Sequence, residues 1–286
     1  MSVRRPPFVE QARRALVASL RAAAKAFPTA GGSGSHAVHD ARKELKRSAS
    51  LARGFSSIVG PEAYVAIEAA NAARRLYGRT RDLDVLPLAL ERVKCEPEIR
   101  TVLTRAIAIE RGAALGATPD ASGVADKLET AADAVAAWDI GACDDSALAA
   151  ALRQTYKSAK RRGAAAFASQ DADDLHELRR GVIDLGHQLE ALRPAWPALI
   201  DAIGEELRRL RQTLGDFNDL TILGEFALSR RELSAEDAAA FVDAVERRRR
   251  PLARKARSLF ERVFVERPTA FARRLSAYLA HPQGRE

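Results

Sequence analysis

Two histidines in this chain are each followed by a pair of basic residues at helical spacing. The pattern H-x-x-R-K begins at His39, and H-x-x-R-R begins at His176. Residues three and four positions apart lie on one face of an α-helix, so each pattern would collect its cationic groups on one side. Guanidinium and ammonium groups donate charge-assisted hydrogen bonds to phosphate and carboxylate oxygens. The spacing therefore predicts two helix faces that bind anions.

A second pattern follows each histidine helix at a constant distance. G-x-x-R-D-L-x-V-L begins at Gly78, and G-x-x-N-D-L-x-I-L begins at Gly215. Gly215 lies 137 positions after Gly78, and the two histidines are separated by the same 137 positions. A shared offset predicts a duplicated module, with a first repeat over residues 1–141 and a second over residues 142–286.

The composition favours helices along the whole chain. Ala and Leu dominate the apolar residues, aromatic residues make up 6% of the sequence, and strand-length runs of Val, Ile and Thr are few. Amphipathic runs predict helices over residues 8–27, 36–57, 61–77, 82–94, 97–115 and 124–138, with the second repeat starting near 145. Asp173 or Asp174 is expected to cap the second histidine helix, which Pro194 and Pro197 should end. Each repeat is expected to form an antiparallel helical bundle, and the alternative is that both repeats share one larger core.

The helix that contains His39 carries a nearly continuous cationic face. Its basic residues, within roughly 80° of His39 on a helical wheel, are Arg42, Lys43, Lys46, Arg47 and Arg53. From residue 39 to residue 53 this face is about 21 Å long at a rise of about 1.5 Å per residue. No acidic residue lies four positions after Arg42, Lys43 or Arg53 to neutralise it. That arrangement favours contact with a polyanion over a merely solvated charged face.

The second histidine helix keeps only part of this face. Ile183 and Asp184 stand where the first repeat has Lys46 and Arg47, so a weaker contribution is expected from the second repeat. Neighbouring helices supply further candidate residues for contact with the polyanion, which are Arg21, Lys25, Arg74, Arg75, Arg79, Arg81, Lys157, Lys160, Arg161, Arg208, Arg209 and Arg211. The densest basic stretch runs over residues 247–257.

The Asp-Leu pairs are expected to support the site rather than to touch an anion. Asp82 and Asp219 should stand at helix starts, where a carboxylate accepts backbone N–H groups or holds a neighbouring Arg. Gly78 and Gly215 suit a helix C-terminal position with a positive φ angle. The turn is therefore predicted to be structural, with Arg79 and Arg81 reaching toward the ligand.

These motifs together resemble the conserved histidine α-helical domain, the CHAD family, over nearly the whole chain. The resemblance rests on H-x-x-R-K-x-x-K-R from His39, on the Gly78 pattern, on their weaker second copies and on the basic C-terminal helix. It implies an all-α fold of two four-helix bundles about a pseudo-twofold axis, with a basic central groove or pore that binds inorganic polyphosphate without catalysis. The contacts that it implies are His39, Arg42, Lys43, Lys46, Arg47, His176, Arg179 and Arg180.

Polyphosphate also suits the residues on physical grounds. A repeating anion can bind a row of Arg and Lys in many registers, and the release of condensed counterions should make its affinity fall steeply with salt. The two histidines can donate as neutral rings or gain charge beside phosphate, since their unperturbed pKa is about 6.5. A core-facing, hydrogen-bonded histidine is the alternative for either one.

Enzymatic interpretations have little support in the sequence. His36, His39 and Asp40 suggest a metal-dependent HD phosphohydrolase, but the second repeat has no equivalent of His36. The chain contains neither the E-x-E-x-K motif of triphosphatase tunnels nor a G-x-x-x-x-G-K-[ST] loop. We therefore expect no catalytic activity, no metal and no cofactor. Cys95 and Cys143 are isolated, so neither a disulfide framework nor a cysteine metal site is expected.

Nucleic acid is the main competing ligand. A pI near 9.9 and Arg-rich helices suit a phosphate backbone, but few aromatic residues are present to stack on bases. A third interpretation is a scaffold that targets partner proteins, such as polyphosphate-metabolising enzymes, to polyphosphate granules. Without a signal peptide or an apolar span of about 20 residues, the expected location is the cytoplasm, including such granules.

Overall fold

The computed structural model of the chain describes residues 7–26, 35–76, 78–116, 121, 123–169 and 171–282, excluding the side chains at 35–39, 79–80 and 115–116. Within these ranges it is helical and contains no strand, which confirms the all-α fold class. The helices are α1 (Phe8–Ala26), α2 (Ser35–Val59), α3 (Ala63–Leu76), α4 (Gly78–Glu91), α5 (Pro97–Gly116), α6 (Val124–Ala136), α7 (Asp145–Ser169), α8 (Ala172–Glu190), α9 (Pro197–Leu228), α10 (Ala235–Val263) and α11 (Pro268–Ala280). No helix in this part of the chain has both the length and the apolar character of a membrane span.

Local sequence accounts for most helix ends. The Asp171 carboxylate caps α8 by accepting hydrogen bonds from the backbone N–H groups of Asp173 at 2.8 Å and Asp174 at 3.2 Å. The cap predicted at Asp173 or Asp174 is therefore wrong by two or three positions, because these residues already belong to the first turn. The predicted end of this helix before Pro194 is confirmed.

The glycine patterns do not end helices as expected. Gly215 lies inside α9, which runs unbroken from Pro197 to Leu228, while Gly78 is the first residue of α4. Positive φ angles among the described glycines occur at Gly60 and Gly123, so the prediction for the two patterned glycines is wrong. Asp219 lies inside the same long helix and Asp82 lies four residues after the first residue of α4, so the predicted place of both acids at a helix start is also wrong. Packing of α9 against α4, α8 and α10 holds the long helix together despite the low helix propensity of glycine.

The buried side chains form two clusters, and each draws on both halves of the sequence. The larger cluster joins α1, α2, α3, α6, α7, α8 and α11 with parts of α9 and α10. A smaller cluster packs α4 and α5 against the end of α9 and the start of α10, and its fully buried members include Leu103, Leu223 and Phe241. The sequence boundary after residue 141 therefore does not separate the two cores.

Helices α2 and α8 cross through polar contacts that fix the position of the basic side chains. The Asp184 carboxylate accepts hydrogen bonds from Arg53 at 2.5 and 2.8 Å and from the Ser50 hydroxyl at 2.8 Å. The Gln188 amide donates to the carbonyl of Ser50 at 2.8 Å, and a Cβ added at Gly54 would approach that amide to 3.0 Å. Asp184, a departure from the basic pattern in the sequence, thus joins the two histidine helices.

Candidate anion-binding site

Four basic side chains from three helices are partly withdrawn from solvent at the α2–α8 crossing. They are Arg42 and Lys46 on α2, Arg74 near the end of α3 and Arg179 on α8, and we name them the central cluster. Burial is the largest cause that lowers the pKa of each group, because a charge is less stable away from water. The pKa of Lys46 falls to about 7, and that of Arg74 falls to about 10.

The electrostatic effects show that these cations lie close to one another. After burial, the largest effects that lower the pKa of Lys46 come from Arg179, Arg42, Arg81 and Arg74. The pKa of Arg74 is lowered by Arg42, Arg53 and Arg180 and raised by Asp184. Such effects need short separations. The fold therefore brings together predicted site residues from α2, α3, α4 and α8, although their sequence positions span both repeats.

Two members of the central cluster, and Arg47 next to Lys46 in the sequence, lack a hydrogen-bond acceptor at one nitrogen atom. The Nε atoms of Arg47, Arg74 and Arg179 are buried with no hydrogen-bond partner among the described residues. A buried N–H group without an acceptor costs about 1–3 kcal/mol, so an incoming ligand with oxygen atoms would be stabilised there. Arg42 donates to the carbonyl of Arg74 at 3.3 Å, which links α2 to the end of α3.

Arg81 is held in place by two carboxylates. Its guanidinium donates to Asp82 at 2.9 Å and, from α4 across to α9, to Asp219 at 3.2 Å. The prediction that the acids of the Asp-Leu pairs hold a neighbouring Arg is confirmed. Arg81 lies among the charges that lower the pKa of Lys46, so the two acids orient one cation of the site.

Gly215 packs against Arg179, a contact that the sequence did not indicate. A Cβ at this position would lie 3.4 Å from both Nε and Nη2 of Arg179, which is an ordinary van der Waals contact. The packing therefore admits Gly or Ala, whereas a larger side chain would displace the guanidinium. The φ angle of Gly215 is not positive, so the backbone does not require glycine here either.

His176 is exposed and bonded to the second glycine pattern. Its Nδ1 lies 2.9 Å from Oδ1 of Asn218, and because an amide oxygen only accepts, Nδ1 donates. Arg180 is also exposed and pairs with Glu177 at 2.6 Å. The side chains of His39 and Arg79 lie outside the described residues, so their part in the site stays a prediction.

A cavity of about 340 Å³ opens beside the central cluster between α8 and α9. We name it the lateral cavity, and its charged and histidine lining residues are Lys43, His187, Glu190, Arg193, Asp201, Arg208 and Arg211. Arg211 lowers the pKa of Arg179, which places this cavity next to the cluster. His187 hydrogen bonds to Glu190 and thereby lowers the pKa of the Glu190 carboxyl, and the positive charges of Arg47 and Lys43 lower it further. His187 was not a candidate, although its position one turn beyond the motif on the same helix face was the available signal.

Other predicted residues are placed elsewhere. Arg21 pairs with Asp133 at 2.8 Å and with Glu129 at 3.5 Å, so it joins α1 to α6. Lys160 donates to the carbonyl of Glu266 at 2.8 Å. Five exposed candidates are not among the charges that shift the pKa values of the central cluster, and these are Lys25, Arg75, Lys157, Arg161 and Arg209.

The comparisons with known proteins bear on the whole arrangement. Among the described side chains, no three His, Cys, Asp or Glu residues converge as a metal site, and the side chains of His36 and His39 lie outside that set. Comparison with curated proteins gave no match. A family model described as the CHAD domain matches residues 11–228, from α1 to the end of α9, which is more than half of the chain. On this match, and with the paired histidine helices at the centre of the fold, the chain belongs to the CHAD domain family.

Proposed function

We propose that this chain binds inorganic polyphosphate, without catalysis, through the central cluster. Membership of a family linked to polyphosphate supports this ligand. The observation that carries the proposal is the convergence of Arg42, Lys46, Arg74 and Arg179 at the junction of both repeats, where four arginines exert the largest charge effects on the pKa of Lys46. Holding like charges together away from water is unfavourable in the free protein, and a bound polyanion would reverse that effect.

Several cations are already positioned for such a ligand. Asp82 and Asp219 hold Arg81, and the Arg179 guanidinium packs against α9 at Gly215. Groups fixed before binding lose little conformational entropy when the ligand arrives. The unpartnered Nε groups at the centre then gain phosphate oxygens as acceptors.

We infer that the binding groove lies between two repeats related by a pseudo-twofold axis. Phe8 and Asp145, at the starts of α1 and α7, are 137 positions apart, as are Ser35 and Ala172 at the starts of α2 and α8. The equivalent helices α2 and α8 pack against each other at the site. The groove would run from the lateral cavity across the central cluster, so that both repeats contribute unequal sets of cations to one ligand.

A competition titration tests the ligand. Long-chain polyphosphate should outcompete single-stranded DNA at matched salt, because the chain offers arginines at the site but few aromatic rings for bases. The double variant Lys46→Ala with Arg179→Ala should weaken polyphosphate binding by at least about tenfold, since each loses a charge-assisted hydrogen bond. The control Lys127→Ala with Arg273→Ala removes two exposed charges from α6 and α11. Equal losses in both variants, or a preference for DNA, would contradict the proposal.

Binding without catalysis would make the chain a tether to polyphosphate granules in the cytoplasm. Such a protein would bring partners, including polyphosphate-metabolising enzymes, to their polymer. We expect no phosphate release from polyphosphate in the presence or absence of Mn²⁺. Release that requires Mn²⁺ and disappears in His39→Ala would instead establish the metal-dependent phosphohydrolase.

A further inference from the structure

Helix α10 carries a second basic surface outside the range that the family model matches. Residues 247–257 contain seven basic residues and no acidic residue, and the match ends at residue 228. Arg247, Arg250, Arg254 and Arg257 are all exposed and follow one another by three or four positions. They therefore share one helix face over about 15 Å, and we name them the α10 row.

Acidic residues neutralise only two members of this row. Glu246 lies 3.9 Å from Arg250, and Glu261 lies 3.2 Å from Arg257. In the described part of the chain no ion pair forms at Arg247 or Arg254. Like charges four positions apart destabilise a helix slightly. The row is thus a concentrated positive surface with guanidinium groups available to a ligand.

Three of the four arginines of the row border a recess rather than a flat surface. A cavity of about 570 Å³ lies between α7, α8, α9 and α10, and its α10 side is lined by Glu246, Arg249, Arg250, Ala253, Arg254 and Arg257. Arg249 is fixed there, since its guanidinium lies 4.2 Å from the centre of the Phe217 ring and 3.1 Å from Glu246. A charged concavity with low-dielectric walls concentrates the field and attracts anions more strongly than a convex surface does.

The recess and the central cluster lie on neighbouring turns of α8 but on different faces of α9. Leu175 lines the recess and Arg179 belongs to the cluster, so about 6 Å along the α8 axis separates them. On α9, Phe217 lines the recess and lies two residues after Gly215, which packs against Arg179, so these two positions point about 200° apart around the helix. A flexible polymer that occupies the cluster must therefore pass around a helix to reach the arginines of α10, which only a longer chain can do.

We propose that the α10 row is a second binding surface for polyphosphate, occupied by chains long enough to extend from the central cluster. This inference rests on the proposed function. Once a chain is bound at the cluster, its contact with α10 is intramolecular, so the second surface adds affinity at a high effective concentration. Short oligophosphates fill the cluster alone. The affinity of this protein thus depends on chain length.

The test compares tripolyphosphate with long-chain polyphosphate in titrations at several salt concentrations. The triple variant Arg250→Ala, Arg254→Ala, Arg257→Ala is set against the control Arg105→Ala, Arg231→Ala, Arg273→Ala, which removes three exposed charges elsewhere. In the α10 variant, long-chain affinity should fall about tenfold more than in the control, and the slope of log K against log salt should become shallower by about two. Tripolyphosphate binding should stay within about twofold of the wild type.

Three results would contradict the proposal of a second surface. The first is an equal loss of affinity for tripolyphosphate and long-chain polyphosphate in the α10 variant. The others are a loss of affinity no larger than that of the control variant, and a larger loss of affinity for single-stranded DNA than for polyphosphate. The experiment distinguishes a failure of the proposed function from a failure of the second surface. Binding of tripolyphosphate by the wild type tests the central cluster alone, whereas the dependence of affinity on polyphosphate chain length tests the α10 row.

Discussion

Lys46 is the residue at which binding and protonation are coupled. Burial among positive neighbours lowers its pKa to about 7 in the free protein, whereas a phosphate beside it would favour the charged form. Lys46 is then largely neutral at about pH 9 in the free protein and charged in the complex. Binding in this range takes up a proton, so affinity should increase as the pH falls from about 9 to about 7.

The pH dependence can be assigned with one conservative substitution. In Lys46→Arg the charge persists over most of this range, because even the buried guanidinium of Arg74 in the same cluster keeps a pKa of about 10. We expect the wild type to gain about tenfold in polyphosphate affinity from pH 9 to pH 7, and the variant to stay nearly constant. Calorimetric titration in two buffers of different ionisation enthalpy measures the proton uptake directly. The same pH slope in both proteins would exclude Lys46 as the coupled group.

Substitutions at Gly215 should affect polyphosphate affinity and protein stability differently. A Cβ there would contact the Arg179 guanidinium at 3.4 Å, so Ala fits at the limit of contact while a larger side chain displaces the guanidinium. Gly215→Ala should bind polyphosphate within about twofold of the wild type and gain up to about 1 kcal/mol of helix stability. Gly215→Val should retain its fold and lose affinity severalfold, measured by titration beside a thermal unfolding curve. Equal affinities of the Ala and Val variants would show that the position of Arg179 does not matter.

The crossing of α2 and α8 is the element-scale feature that the site requires. Asp184 neutralises Arg53 and accepts the Ser50 hydroxyl in a mostly buried setting. Asp184→Ala leaves Arg53 without this partner and should lower the free energy of unfolding by about 2–4 kcal/mol. Asp201→Ala removes an exposed pair with Arg193 and should cost less than about 1 kcal/mol. Denaturant unfolding of both variants checks the ranking, and equal costs would mean that the crossing is not held by this pair.

Helix positions could be predicted from the sequence better than helix continuity could. Apolar periodicity located α1, α5 and α6 to within two residues, because each buries one face against its neighbours. The unbroken α9 was missed, since Gly215 carries a local signal for a helix end while the packing of three other helices maintains the helix. Asp171 was missed as a cap for a similar reason, because several acids in a row offer the same signal.

The convergence of the basic side chains on one site depends on the whole fold, and it could be predicted from the sequence only in part. The offset of 137 residues connected the two histidine helices, and spacing placed Arg42 and Lys46 on one face. The charge of a residue alone could not show which of the remaining candidates belong to the site. Arg21 is bound by Asp133 on a helix more than one hundred positions away, and Lys160 by a backbone carbonyl that no side-chain pattern reveals.

A crystal structure of the protein with a defined oligophosphate would show directly where the ligand binds. We expect phosphate groups at the α2–α8 crossing, within hydrogen-bond distance of Lys46 Nζ and the Arg179 guanidinium, with the ligand contacting both repeats. Oligophosphate density confined to surfaces away from Arg42, Lys46, Arg74 and Arg179, with the central cluster unchanged, would contradict this expectation.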